Sequence, residues 1–305
     1  MTASHCPTDQ ADTLRQLAHS AKKRGGAEES PAAERHRVIS VTSGKRGVGK
    51  SSVAVNLAQA LAQTGQRVLV LDADLERGDL CRLLGVQAPG GLIQVVTGEK
   101  RLEEIVLSAG QGLDLLPATL KLQHFQSLSP SSRAALQQGL ERLEQGYDFV
   151  LIDAGTGIAA NVTSFAAAAR EILVVVTPEA TSITDAYALI KTLSGRDGSL
   201  RFRLLVNGCR DAAEGEALFG KLSAITGRFL EVSMDYSGCI LQDESFVESV
   251  RRQGALCRLY PEAPASLGFR ALAQHLTSEG PHGVALLPLD QVVRRKEWRN
   301  HELSS

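Results

Sequence analysis

The chain has 305 residues, 43% of them apolar, which is enough to bury a sizeable core in one large α/β domain with appendages. Lys+Arg 33 against Asp+Glu 34 gives a net charge of −1, which excludes a generally basic nucleic-acid coat, and 4% aromatic residues exclude a stacking platform for single strands. Strongly apolar runs such as Ile172 to Val176 are far too short to span a bilayer, and Met1 to Ser20 lacks the apolar core of a secretory signal. Cys6, Cys81, Cys209, Cys239 and Cys257 are dispersed with no C-x-x-C pair, as expected for reduced thiols in a cytoplasmic protein.

The predicted elements begin with a short helix over Asp9 to Ala18, with Asp9 as its N-cap and Ala11, Leu14 and Ala18 on one face. Residues 1–20 form this separate element. Residues 21–36 are charged, Gly- and Pro-bearing and poor in apolar residues, which predicts a flexible linker. From Arg37 to about residue 280 the texture changes to strands alternating with helices. Strands are predicted at Val38 to Thr42, Arg67 to Leu71, Leu113 to Leu116, Tyr147 to Asp153, Glu171 to Thr177 and Arg201 to Val206. Helices are predicted at Ser52 to Gln63 and Arg133 to Gln145. Near-continuous apolar strands between helices imply a mostly parallel, doubly wound sheet covered on both faces, with ligands at the carboxyl ends of its strands. Residues 281–305 form a tail. Leu289, Val292 and Val293 share one side of a predicted helix, beside Arg294, Arg295, Lys296, Trp298 and Arg299.

Gly44-Lys45-Arg46-Gly47-Val48-Gly49-Lys50-Ser51 satisfies G-x-x-x-x-G-K-[ST] between a predicted strand and a predicted helix that opens near Ser52. Glycines let backbone N–H groups close around phosphate oxygens, and the helix N-terminus adds its positive end. In that motif the lysine, Lys50, faces the β- and γ-phosphates and the hydroxyl of Ser51 faces Mg²⁺. Asp153 ends a predicted strand, as a Walker-B aspartate does, and Gly155-Thr156-Gly157 after it predicts a mobile turn. Asp72 and Asp74 end another strand, where two acids can serve a metal's water shell and an attacking water.

Lys45, one residue after the first P-loop glycine, resembles the signature lysine of the MinD/ParA class of deviant Walker A ATPases. Several segments resemble the FlhG/FleN flagellar-number branch of that class: Leu71 to Leu75 with Gly78 to Leu80 and Leu83 to Val86, Glu179 to Lys191, Val247 to Gln253, Tyr260-Pro261 and Ala265-Ser266. Asp9-Gln10-Ala11-x-x-Leu14-Arg15 resembles the branch's N-terminal element, which stimulates the GTPase FlhF. The resemblance spans about Asp9 to Leu276. It implies a P-loop NTPase fold of the MinD type, ATP/ADP and Mg²⁺ as ligands, and an ATP-dependent homodimer.

Residue by residue, the resemblance implies that Lys45 neutralises charge across the dimer and that Lys50, Ser51 and Ser52 belong to the phosphate cradle. Asp72 and Asp153 hold metal waters and Asp74 orients the attacking water. Asn207 falls where the family recognises adenine by a side-chain amide, with the backbone at Leu241 to Asp243 over the base. Asp9, Gln10, Leu14 and Arg15 meet the partner GTPase. Two departures stand out: Arg46 replaces the family's usual glycine, and Leu241 its proline.

The function implied is a slow, partner- or lipid-dependent Mg-ATPase switch that regulates flagellar number or placement with an FlhF-like GTPase. Flagellar switch (C-ring) proteins or a flagellar transcription regulator are further expected partners. The tail implies weak, reversible association with the anionic inner face of the cell membrane, and no direct nucleic-acid contact is expected. The alternatives are a nucleotide-binding regulator with negligible turnover and a ParA-like partitioning ATPase.

Overall fold

The computed structural model describes residues 36–74, 78, 80–88, 90–117 and 128–280. The expected N-terminal helix with Asp9, Gln10, Leu14 and Arg15, most of the linker, and the tail from residue 281 lie outside the described residues. His36, the last residue assigned to the linker, is buried directly before the first strand.

The elements follow in the order β1 (Arg37–Ser43), α1 (Lys50–Gln63), β2 (Val68–Ala73), α2 (Leu80–Leu84), α3 (Leu92–Val96), β3 (Leu107–Gly110), β4 (Leu113–Pro117), α4 (Pro130–Glu144) and β5 (Phe149–Thr156). They continue with α5 (Ala160–Ala166), β6 (Glu171–Val176), α6 (Ala180–Ser194), β7 (Arg201–Cys209), α7 (Ala212–Leu230), β8 (Met234–Leu241), α8 (Glu244–Arg251), α9 (Leu256–Leu259) and α10 (Pro264–Ser278). The sheet runs β3-β4-β2-β5-β1-β6-β7-β8 and is parallel except for the β3–β4 pair. This is the mostly parallel, helix-covered sheet the sequence predicts.

Strand side chains alternate between faces, so both must be apolar. Ile39 and Val41 of β1 join the core under α1 and α10, whereas Val38 packs with Leu69, Val150 and Leu140 on the other face. β3 and β8, the two edge strands, have no predicted counterpart, because neither carries a long apolar run. β5 runs past Asp153 to Thr156, so the expected mobile turn at Gly155 and Thr156 is strand instead. Neighbours hold it there: Thr42 Oγ1 donates to the Gly155 carbonyl at 3.2 Å, and Gly157 N–H donates to the Ser43 carbonyl at 2.9 Å.

At the opposite end of the sheet, charge is buried. Arg37 donates through Nε to Glu171 Oε2 at 2.7 Å and through Nη1 to the Leu276 carbonyl at 2.7 Å. Arg203 also pairs with Glu171, and both arginines reach Glu279 Oε2, at 2.8 and 2.6 Å. The network ties the end of α10 to β1, β6 and β7. It leaves the carboxyl ends of the central strands as the open edge of the fold.

Candidate nucleotide-binding site

The P-loop fills the turn from β1 into α1. Gly49 is the N-cap of α1 at φ 84°, a left-handed conformation that a side chain disfavours. Gly44 is glycine for want of space: a β carbon there overlaps the Asp185–Ala186 backbone of α6, reaching 2.6 Å from the Ala186 nitrogen. The helix starts at Lys50, two residues before the sequence-based boundary, with no side chain capping its first turn. The first N–H groups of a helix lack intrahelical partners, so this end of α1, which lines the cleft through Lys50, Ser51 and Ser52, suits an anion.

Lys50 is 5% exposed, and its Nζ donates to Asp153 Oδ1 at 2.6 Å and to Ser51 Oγ at 3.2 Å. Asp74 Oδ2 stands 3.6 Å from the same nitrogen. Asp74 and Asp153, the latter 103 positions from Lys50 in sequence, thus meet at one ammonium group. Asp72 and Asp153 are direct partners in the β2–β5 register, and both are buried. Burial, with the Asp153 charge next, pushes the Asp72 carboxyl up to about 7; the Asp74 and Leu80 backbone N–H groups and Lys50 act the other way. Burial also raises Asp153, against the lowering pull of Lys50 and Ser51.

This donor set fits a hard divalent cation: oxygen ligands only, and two adjacent carboxylates whose repulsion a cation relieves. Among the described residues no three His, Cys, Asp or Glu side chains converge as a metal cluster. A cation held here would therefore depend on the Ser51 hydroxyl, waters and phosphate oxygens as well. The P-loop cradle, with the Lys50 ammonium at its floor, likewise fits a polyphosphate.

The cleft is also walled by Ser43, Arg46, Ala73, Arg82, Leu83, Thr156, Val162, Phe165 and Val250. Of these, Ala73, Leu83 and Val250 lie in segments that carry the sequence resemblance and Arg82 falls between two of them, but no motif spacing assigns these four a role. Arg46 is exposed at the mouth. Lys45 is turned away from the cleft toward α6, where it donates to Thr181 Oγ1 at 2.8 Å and pairs with Glu179. Both partners belong to the stretch Glu179 to Lys191, which the resemblance singled out without giving it a task.

Asn207 ends up beside the P-loop, its amide donating to the Val48 carbonyl at 2.8 Å. Asp243 caps α8 by accepting from Ser245 N–H at 2.8 Å and ties down α10 by accepting from Ala265 N–H at 3.1 Å. Its side chain is thus structural, which leaves backbone as the only group at Asp243 able to face a base. Leu241 closes β8 opposite Cys209.

A family model described as an AAA domain matches residues 36–202, the span that holds the P-loop, Asp72, Asp74 and Asp153. The antiactivator FleN of Pseudomonas aeruginosa is 43% identical over 242 residues, covering 79% of this chain and 86% of FleN. The chain belongs to the FleN/FlhG family of MinD/ParA-class P-loop ATPases. The flagellum site-determining protein YlxH of Helicobacter pylori is 30% identical, covering 83% of this chain and 85% of YlxH. Among solved structures, the cell division ATPase MinD of Pyrococcus furiosus superposes with a TM-score of 0.66 at 25% identity, over 80% of this chain and 99% of MinD. The Aquifex aeolicus MinC:MinD complex gives 0.64 at 26% identity, over 80% of this chain and 96% of that one. The Pyrococcus horikoshii MinD solved with Mg-ADP shares the fold, with a TM-score of 0.65 at 24% identity over 79% of this chain and 96% of that one. FleN-type chains are thus MinD-like, ATP-binding P-loop proteins of flagellar regulation, and this chain is one of them.

Proposed function

We propose that the chain is a Mg²⁺-dependent ATPase switch that dimerises on ATP and sets flagellar number or placement. The observation that carries this reading is the meeting of Lys50, Ser51, Asp153 and Asp74 at the mouth of a P-loop. Lys50 and the loop N–H groups bind the triphosphate, and Ser51, Asp72 and Asp153 hold the metal and its waters. When bound, Mg²⁺ supplies charge neutralisation at the phosphate oxygens. Asp74, less buried than Asp153, orients the attacking water and accepts its proton. Lys45 leaves Glu179 and neutralises charge on the partner subunit's nucleotide.

The relatives' names support the choice of partners. FleN is by name an antiactivator, which supports a flagellar transcription regulator as a partner, and YlxH is by name a site-determining protein. The match of Asp9-Gln10-Ala11-x-x-Leu14-Arg15 supports an FlhF-like GTPase, with Gln10 entering its site. Arg46, exposed at the cleft mouth where the family usually has glycine, favours the second reading, a nucleotide-bound regulator of negligible turnover. Gel filtration with ATP, ADP or neither, combined with phosphate release, separates the two. A dimer with ATP and measurable turnover supports the switch; a dimer with no release, with or without anionic lipid, leaves the regulator.

A further inference from the structure

We infer that Arg82 is a further ligand-binding residue of the nucleotide site: from α2 it takes the terminal phosphate of a triphosphate bound in its own subunit, and so separates ATP from ADP. This rests on the nucleotide-binding reading above and deepens it, because no motif gives Arg82 a task. Three observations carry it.

The first is the charge of the cavity. Its volume is about 190 Å³, below the roughly 300–1,000 Å³ of pockets that enclose a whole small molecule. It suits a phosphate chain better than a complete nucleotide. Its charged lining residues are Arg46, Lys50, Arg82 and Asp74, three cations to one carboxylate. Lys50 is the buried one of the three cations and is held by Asp153. The two arginines are exposed and come from different elements, Arg46 from the P-loop and Arg82 from α2. A guanidinium presents a planar fork of donors that matches the oxygens of a phosphate.

The second is how the chain aims Arg82. A helix turns about 100° per residue, so Leu80 and Leu84, two places to either side, point away from Arg82. Both leucines are buried, at 0% and 2% exposure, in the core that α1 covers. Burying them turns Arg82 outward, and the adjacent Leu83 lines the cavity with it.

The third is the support beneath it. Leu80 N–H and Asp74 N–H both donate to the Asp72 carboxylate, the second at 3.3 Å. At the other end of α2, a β carbon on Gly85 would lie 2.6 Å from the Gln253 carbonyl, so the helix abuts the turn that follows α8. Arg82 is therefore carried by a helix fixed at both ends, and one tether is the carboxylate that stands beside Asp153 in the sheet. Such support holds a binding group where its ligand comes to rest.

Arg82 differs from Lys45 in acting within one subunit, so its effect needs no dimer. The test is binding of ATP, ADP and inorganic tripolyphosphate, each with Mg²⁺, to the full chain and to Arg82→Gln and Arg82→Lys. The same titrations are repeated with Lys45→Ala added, on protein that gel filtration shows to be monomeric. In Arg82→Gln, ATP and tripolyphosphate should each bind about tenfold more weakly, with ADP within about twofold of the parent. Arg82→Lys keeps the charge without the fork and should recover part of the loss. The selective loss should persist in the Lys45→Ala background. Equal losses for ATP and ADP would make Arg82 a support of the fold, and unchanged ATP and tripolyphosphate binding would leave it outside the site. A loss that disappears in the Lys45→Ala background would place it at a subunit contact. Each of these results overturns the inference, as does an Arg82→Lys chain that binds no better than Arg82→Gln. ATP binding by the unsubstituted chain tests the nucleotide reading separately, because the inference is judged on variant-to-parent ratios.

Discussion

Lys45 of the P-loop is held by Glu179, the residue that opens α6, with Thr181 Oγ1 as its second partner at 2.8 Å. The pair is exposed, 31% at the lysine and 60% at the glutamate. An ion pair this open to water contributes about 0–1 kcal/mol. Lys45 can therefore exchange Glu179 for a phosphate on a second subunit at small cost. Lys45→Ala should leave stability within about 1 kcal/mol of the parent. It should abolish the ATP-dependent dimer and its turnover, as read by gel filtration and phosphate release. A dimer that forms normally without Lys45 would remove its role across the interface.

Asp74 should be separable from binding. It stands 3.6 Å from Lys50 Nζ, farther than Asp153 at 2.6 Å, so it does not anchor the lysine. Asp74→Ala should bind ATP with near-parent affinity, lose at least about a hundredfold in turnover, and accumulate as dimer. Lys50→Ala is the contrasting case. It removes the phosphate ligand and leaves Asp153 buried without its cation, so nucleotide binding should vanish and stability fall by about 3–5 kcal/mol. Calorimetric unfolding and nucleotide titration of the two variants check both outcomes.

The pH dependence should carry the mark of Asp72. Its carboxyl is raised from 3.8 to about 7 in the folded chain, first by burial and then by Asp153. The folded state therefore binds a proton that the unfolded state releases. This contribution is fully present below pH 3.8 and is lost as pH rises through about 7. Without metal, stability attributable to Asp72 should fall by up to about 1.4 kcal/mol per pH unit across that window. Asp72→Asn should flatten the slope in urea unfolding with chelator present. Mg²⁺ should oppose the loss above pH 7 and bind more weakly below it, because proton and cation compete for one carboxylate.

The phosphate cradle is legible in sequence because Gly44 to Ser51 are consecutive and each residue type has one reason to be there. Asp153 and Asp72 are legible as strand ends. That they are register neighbours is not, because β2 and β5 become adjacent only through the strand order. Glu179 hides for a related reason: its partner lies 134 positions away, and an exposed acid before a helix reads as ordinary dipole compensation. Arg37 and Glu171 stand at the boundaries of predicted strands and Arg203 inside one, yet all three are among the most buried charges described. Only the docking of α10, whose Leu276 carbonyl and trailing Glu279 meet the arginines, takes them out of water.

The tail prediction concerns residues 281–305, which follow directly on that anchored end of α10. Among the described residues no helix is long and apolar enough to cross a membrane. The sequence predicts a small apolar face of Leu289, Val292 and Val293 there, with Arg294, Arg295, Lys296 and Arg299 adding four positive charges near Trp298. Each basic residue near an anionic surface contributes about 1 kcal/mol, and the apolar face adds little. One tail should therefore bind weakly. Two tails on an ATP dimer should bind far better, because the second contact is intramolecular. In liposome sedimentation the full chain should pellet with anionic vesicles in ATP, less so in ADP, and less again as salt rises. Deleting residues 289–305 should abolish pelleting and leave nucleotide binding at the P-loop untouched. Pelleting that persists after the deletion, or that ignores the nucleotide, would move the membrane contact elsewhere on the chain.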